Sequence, residues 1–303
     1  MDTQGRKPAW LKASIGGGAQ YRALAEQIRS RQLHTVCEEA HCPNKGECWS
    51  RGVATLMILG DTCTRACAFC NVLTGKPTHT DYTEPLRVAS LVAGMGLRFL
   101  TITSVDRDDL EDQGAEIWSE TIRRLRTQDP SLAIEALVPD FQGNTNLLDI
   151  VLDAGPTVLN HNLETVPRLQ KSIRKFANWE HSLRILQHAK SRGFITKTGI
   201  MVGLGESTKE VFSFLEDISP LGFDIVTLGQ YLQPSPRNIP VARFVTPQEF
   251  RDYAQHAKQL GIKRCESGPL VRSSWHAEET FQGATIATHP SFQEATHHSS
   301  PAR

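Results

Sequence analysis

The amino-acid sequence predicts an α/β fold, a partial TIM-type (β/α)6 barrel with a cysteine-rich extension at its N-terminus and a second extension at its C-terminus. Three observations predict it. Six short apolar runs suit buried parallel strands. Stretches with helical periodicity separate them, so the chain reads as repeated strand-helix units whose right-handed crossovers curve a parallel sheet toward a barrel. The first strand runs directly into a loop bearing three cysteines, at the strand end where barrels of this kind gather their functional groups. A doubly wound open sheet is the alternative arrangement of the same units.

Residues 1–53 form the N-terminal extension. Its "SIGGGAQ", near residue 16, reads as a flexible lead-in rather than a phosphate cradle. Tyr21, Leu24, Ala25 and Ile28 share one stripe of a helix over 21–33, and "TVCEEAHCPNKGECWS" follows as an irregular, cysteine-bearing loop. The barrel spans 54–260, with strands expected at 55–59, 98–105, 133–138, 157–162, 195–203 and 224–232. Between them, "AEIWSETIRRLR" and "VFSFLEDIS" are helical stretches. Residues 261–285 form the C-terminal extension, and the polar tail 286–303 is expected to be disordered. That tail pairs only His297 with His298, with His289 apart, too few ligands for a metal site.

Composition excludes several functions. Lys plus Arg and Asp plus Glu are both 33, so no global positive field draws in nucleic acid or an anionic membrane. No apolar run is long enough to span a bilayer, and "MDTQGRKPAW" lacks the apolar core of a secretory signal. The expectation is a soluble, cytoplasmic protein. Six of the seven cysteines cluster between positions 37 and 70, and in a reducing compartment such clustering favours metal over disulfides. Cys265, alone, reads as a small buried apolar residue.

The cysteines fall into two triplets. Cys63, Cys67 and Cys70 have the spacing C-x3-C-x2-C, while Cys37, Cys42 and Cys48 have C-x4-C-x5-C. Zinc sites usually use paired C-x2-C units, and two triplets do not match that pattern. A four-iron cluster held by three thiolates, in contrast, leaves one iron open to a small molecule. Six thiolates divided three and three imply two clusters. The bland reading remains a zinc-stabilised binding module.

The Cys63 triplet after a first strand, with Phe69 before its last cysteine, resembles the radical S-adenosylmethionine enzymes. The resemblance narrows to the lipoyl synthase family on "HTVCEEAHCPNKGECWSRGVATLMILGDTCTRACAFCNV", "LVPDFQG", "NHNLETVPRL", "KTGIMVGLGE", "LGQYLQPS" and "GPLVRSS", and covers about residues 8–281. It implies that Cys63, Cys67 and Cys70 hold a catalytic 4Fe-4S cluster to which S-adenosylmethionine binds and is cleaved to a 5'-deoxyadenosyl radical. It implies that Cys37, Cys42 and Cys48 hold an auxiliary 4Fe-4S cluster that is the sulfur source. The fourth auxiliary ligand would be a serine of the Arg272-Ser273-Ser274 motif, Ser274 in preference to Ser273, and Ser274 is counted with the catalytic set. A hard oxygen beside soft thiolates makes the weaker bond, so its iron is expected to leave first.

The reaction so implied is insertion of sulfur at carbons 6 and 8 of an octanoyl chain on a lysine of a carrier domain. The partners so implied are 2-oxoacid dehydrogenase acyltransferase subunits or the glycine cleavage H protein, with ferredoxin or flavodoxin supplying electrons. Thr103, Ser104 and Asp106 end the second strand where the cofactor's amine and ribose would lie. Met201, in "GIMVGLGE", would lie against the adenine; a plain strand with a glycine turn is the other reading. Asn160 and His161 end the fourth strand, with His161 read as a satisfied structural histidine. Glu38 and Glu39 read as solvated charges. Arg237 and Arg272 either meet an acidic carrier or are solvated.

The chain departs from the family pattern in "LEDQGA", in "PRNIPV", where Asn238 replaces a usual histidine and would alter carrier or chain recognition, and in Trp275, an aromatic in place of tyrosine. Another sulfur-inserting radical enzyme, biotin-synthase-like or a methylthiotransferase, would share the Cys63 triplet but lack the C-x4-C-x5-C lead and the terminal serine pair.

Overall fold

A computed structural model describes residues 7–274, 277–279 and 281 of the chain. Trp275 and the tail 286–303, with His289, His297 and His298, lie outside the described residues. In the N-terminal extension, α1 (Ala19–Ser30) buries Leu24, Ala25 and Ile28, as its stripe predicts. The chain then passes through β1 (His34–Thr35), α2 (Val36–Glu39) and α3 (Lys45–Ser50). The stretch expected to be irregular thus contains two short helices. Thr35 caps α2 by accepting the Glu38 N–H at 3.3 Å, and the buried Trp49 seats α3 against Tyr21, ring centroids 5.3 Å apart.

The glycine lead-in is no free tether either. Gly16 lies so close to Gly46 that a Cβ on either would come within 2.4 Å of the other's backbone, and Ser50 donates its hydroxyl to the Gly17 carbonyl at 3.2 Å. Only glycine at both positions allows that approach.

After β2 (Leu56–Ile58), the two-residue strands β3 (Thr62–Cys63) and β4 (Leu73–Thr74) pair in parallel and close the base of the cysteine loop. The helices α4 (Glu84–Ala93), α5 (Ala115–Gln128) and α6 (Thr145–Leu152) then alternate with β5 (Phe99–Ser104), β6 (Ala133–Leu137) and β7 (Val158–Asn160). Next come α7 (Pro167–Ile173), α8 (Trp179–Ser191), β8 (Ile195–Val202), α9 (Thr208–Ile218), β9 (Ile225–Gln230), α10 (Pro247–Gln259) and β10 (Arg264–Gly268). The main sheet has eight strands among the described residues, ordered β1-β2-β5-β6-β7-β8-β9-β10. β1 runs antiparallel to β2, and every later pairing is parallel.

All six expected strands form, each buried on both faces by the helices and by the sheet interior. β10 is an addition to the expected six. Its sequence, "RCESG", is only half-buried and offers no apolar run, yet it pairs residue for residue with β9 from Arg264↔Ile225 to Gly268↔Gly229. The segment read as a C-terminal extension therefore begins with a barrel strand. β1 and β10 end the strand order without pairing to each other, so the barrel is open. Cys265 packs on the core between β9, α9 and α10, consistent with its apolar reading. No helix among the described residues is long and apolar enough to cross a membrane.

Candidate active site

The loop from Cys63 to Cys70 leaves the sheet at a turn that its own residues would not hold. Leu59 and Gly60 adopt positive φ, 70° and 88°, and the buried Glu84 carboxylate accepts both of their N–H groups at 2.6 and 3.4 Å. Beyond the turn, backbone bonds tie Thr64 to Asp106, Gly75 to Cys63 and Ala68 to Ile173. Arg65, 4% exposed, supplies the anchor. Its guanidinium donates to Asp108 at 2.7 and 2.8 Å and pairs with the Asp140 carboxylate at 2.8 Å, so the loop is fastened to the ends of β5 and β6.

The thiols face a cavity of about 520 Å3. The Cys63 sulfur accepts the N–H groups of Arg65 and Asp106 at 3.4 and 3.3 Å. Burial pushes the Cys63 and Cys67 thiols up to about 12 and Cys70 up to about 11, so iron binding must displace their protons. Cys67 and Cys70 are electrostatic neighbours, as are Cys70 and Cys63. Phe69 packs with Ile173, Met201, Leu204 and Tyr231, walling off one side.

Around this loop, the structure places the expected cofactor contacts on the same cavity with differing freedom. Met201 lines it, and Gly203 and Leu204 donate their N–H groups to Glu206 at 2.6 and 2.9 Å in the glycine turn that follows the strand. Thr103 and Ser104 also line it, but Thr103 donates its hydroxyl to the Leu137 carbonyl at 3.1 Å and Ser104 accepts from the Trp118 indole at 3.2 Å. Asp106 reaches the Cys63 thiol at 3.5 Å and Arg65 at the same distance; burial raises its carboxyl pKa and Arg65 opposes that. Glu164 and Arg174, which the sequence reading did not single out, line the cavity as well. Glu164 sits at φ 68°, its carboxyl pKa raised by burial and lowered by Arg174, whose own Nε is buried without a partner. Glu164 lies in the "NHNLET" stretch at the end of the fourth strand, read in the sequence only for its family likeness, and Arg174 falls outside it.

The other triplet reaches the same cavity. Cys37 and Cys42 line it together with Arg272, Ser273 and Ser274; Cys48 stands just behind, its thiol pushed up to about 12 by burial and by its neighbours Cys37 and Cys42. Three contacts bring the C-terminal segment there. Asn44 donates to the Leu270 carbonyl at 2.7 Å, Arg272 lies beside Cys42, and Gly229 leaves room for Val271, whose carbonyl oxygen would stand 2.1 Å from a Cβ at that position. Arg272 is thus drawn into the site rather than left solvated, while Arg237 is exposed. Glu38 is also more than a solvated charge, since it pairs with Arg29 at 3.0 Å and Lys45 at 3.5 Å. Asn238 donates to the Cys70 carbonyl at 2.8 Å, a brace on the cysteine loop.

His161 is the structural histidine expected. Its two nitrogens bond the Val138 carbonyl at 2.8 Å and the Ser182 hydroxyl at 2.9 Å. Burial, reinforced by Arg174, pushes its pKa down from 6.5 to about 4. Between those pH values the unfolded chain takes a proton that the folded chain refuses, so stability is lost as pH falls from 6.5 to 4, by at most about 3 kcal/mol, and is unaffected above. In His161→Gln the urea midpoint is expected to fall less steeply across this window than in the parent; equal slopes would contradict the assignment.

Among the described residues no three His, Cys, Asp or Glu side chains converge on a single-ion position. An iron-sulfur cube takes one thiolate at each iron. Two groups of three free thiols, five of the six lining one cavity, have the donor chemistry for cubes.

Comparison with known proteins follows the same lines. The radical SAM superfamily model matches residues 57–218, and the model for the N-terminal domain of lipoyl synthase matches residues 2–42. The chain is 50% identical over 274 residues to a lipoyl synthase of Parabacteroides distasonis, covering 90% of this chain and 98% of that one. It is 47% identical to a mitochondrial lipoyl synthase of Nematostella vectensis, covering 90% and 94%. Among solved structures, methylornithine synthase superposes with a TM-score of 0.52 at 13% identity, covering 87% of this chain and 82% of that one, a likeness of fold alone.

Proposed function

The chain belongs to the lipoyl synthase family of the radical SAM superfamily, and we propose from that premise that its two cysteine triplets do different work in one cavity. It is a radical SAM sulfur-inserting enzyme that uses S-adenosylmethionine and a 4Fe-4S cluster, and it acts on lipoyl carrier proteins. When bound, the cofactor and its cluster supply hydrogen-abstracting radical chemistry, which unactivated methylene carbons require because an alkyl C–H has no accessible pKa. The biotin-synthase-like, methylthiotransferase and zinc-module readings give way to this one.

Cys63, Cys67 and Cys70 hold the catalytic cluster in this proposal. Arg174, with an unpartnered buried Nε, takes the carboxylate of the cofactor's methionine moiety; Glu164 accepts from its ribose hydroxyls; Met201 lies against its adenine. Asp106 is placed for the α-amine, and Thr103 and Ser104 shape the wall with hydroxyls already committed to protein partners. Phe69 and its apolar neighbours exclude water from the reacting carbons. Cys37, Cys42, Cys48 and Ser274 would hold a second 4Fe-4S cluster, which would supply the sulfur for carbons 6 and 8 of the octanoyl chain, and the hard Ser274 oxygen would make the weakest of its protein bonds. The carriers are 2-oxoacid dehydrogenase acyltransferase subunits or the glycine cleavage H protein, electrons come from ferredoxin or flavodoxin, and seven free cysteines suit a reducing, cytoplasmic setting. The units 1–53, 54–260 and 261–285 divide this work, the middle one binding the cofactor and the outer two the sulfur source.

One observation carries the proposal: Cys37 and Cys42 from one triplet, all three cysteines of the other, and Ser274 line a single cavity. Anaerobically reconstituted chain, given S-adenosylmethionine, a reductant and an octanoylated carrier peptide, is expected to yield a peptide carrying two added sulfurs by mass spectrometry. Cofactor cleavage without sulfur addition to any octanoylated carrier would retain the radical enzyme and overturn this substrate.

A further inference from the structure

Two serines stand side by side in the Arg-Ser-Ser motif, and their surroundings differ. The Ser273 hydroxyl accepts from Asn160 Nδ2 at 3.0 Å and donates to Asn162 Oδ1 at 2.9 Å. Its proton is thereby committed. The Ser274 hydroxyl lines the cavity and has no hydrogen-bond partner among the described residues.

What fixes Ser273 is itself fixed from below. Asn160 ends β7 fully buried, and its Nδ2 also donates to Glu135 Oε1 at 2.7 Å. A carboxylate only accepts, so the amide nitrogen faces Glu135, and Asn160 Oδ1 is left buried without a partner. Glu135 is in turn held by Lys197 at 2.9 and 3.2 Å, both side chains 1% exposed. The three residues come one each from β6, β7 and β8, with Asn160 directly opposite Lys197 in register. A buried ion pair is weak as a source of stability, and its best-attested use is to specify one arrangement over another.

Resting on the reading of Ser274 as a cluster ligand, we propose that Asn160 is a positioning residue: by holding Ser273, it sets the register of the motif so that Ser274 is the serine presented to the cysteine triplet of the N-terminal extension. The other tethers, Asn44 to Leu270, Gly229 against Val271 and Arg272 beside Cys42, hold the segment near the cavity without bonding either serine. Lys197 and Glu135 act through Asn160, a buried relay that runs from the sheet interior to the site.

The test uses the full chain in a Cys63→Ala, Cys67→Ala, Cys70→Ala background, in which only the auxiliary cluster assembles, so that its electron paramagnetic resonance signal and iron content are read alone. Asn160→Leu and Ser273→Ala are each expected to lower hydrogen-exchange protection over residues 270–274 by about ten-fold, the worth of one well-placed hydrogen bond, and to alter or abolish the signal. Ser273→Thr, which keeps the hydroxyl, is expected to restore both. Ser273→Ala keeps the barrel floor intact if Asn160→Leu misfolds. Unchanged protection and signal in Ser273→Ala would overturn the proposal. Ser274→Ala separates it from its premise: normal protection with an unchanged auxiliary signal there would sink the ligand reading, while the exchange data on Asn160 and Ser273 would still decide which serine the barrel holds.

Discussion

Replacing Arg65 with Met is expected to destabilise the chain by about 3–5 kcal/mol, the usual consequence of stripping one partner from a buried charge cluster. Burial opposes the Arg65 charge, but hydrogen bonds to Asp108 and Asp140 and the nearby Asp106 carboxylate more than offset it and keep the guanidinium ionised. Without it, Asp140, 1% exposed, remains buried with its cation gone, and Asp106 and Asp108 repel it. The loop carrying Cys63, Cys67 and Cys70 loses its fastening to β5 and β6 at the same time. Arg65→Lys is expected to recover little, since a point charge cannot address three carboxylates that a planar fork spans. Urea unfolding of the iron-free chain measures the first effect, and iron content after reconstitution measures the second. A loss below about 1 kcal/mol would mean that the cluster is solvated and the anchor unimportant.

Gly229→Ala is expected to separate the two halves of the reaction. A Cβ there would stand 2.1 Å from the Val271 carbonyl oxygen and 3.1 Å from its carbon, so a backbone segment must move. Overpacking of this kind typically costs about 1–3 kcal/mol, which the barrel tolerates. The displaced segment is the one that bears Arg272, Ser273 and Ser274. Cleavage of S-adenosylmethionine is expected to persist near the parent rate while sulfur addition falls at least about ten-fold, equivalent to about 1.4 kcal/mol in the productive arrangement. Equal losses in both would place Gly229 in general stability instead.

The fold was legible where burial is two-sided. The runs at 55–59 through 224–232 announce themselves because strands covered on both faces carry nearly continuous apolar sequence. β10 is half-buried at the sheet's edge, and "RCESG" carries no such mark. The helices α2 and α3 were hidden because Cys, Gly, Pro and Asn between 37 and 50 have turn-forming composition, and it is the tertiary seat of Trp49 that stabilises them. At the site, cysteine spacing was readable because ligand chemistry fixes spacing locally. The partnership of Asn160 with Ser273 joins residues 113 apart, and no local pattern encodes it. Arg65 gave a faint signal, an arginine between cluster cysteines, whose meaning depends on carboxylates brought in by β5 and β6. The bracing bonds of Asn238 were hidden for a related reason: its carbonyl partners lie on a loop about 170 residues earlier in the chain.

The division of labour between the triplets is tested most directly by Cys37→Ala, assayed in single turnover for two products at once. 5'-Deoxyadenosine is expected still to form, because Cys63, Cys67 and Cys70 are untouched, while no sulfur is added to the octanoylated carrier. Sulfur addition at the parent level in Cys37→Ala would contradict it, since the sulfur would then have a source other than the cluster assigned to Cys37, Cys42, Cys48 and Ser274.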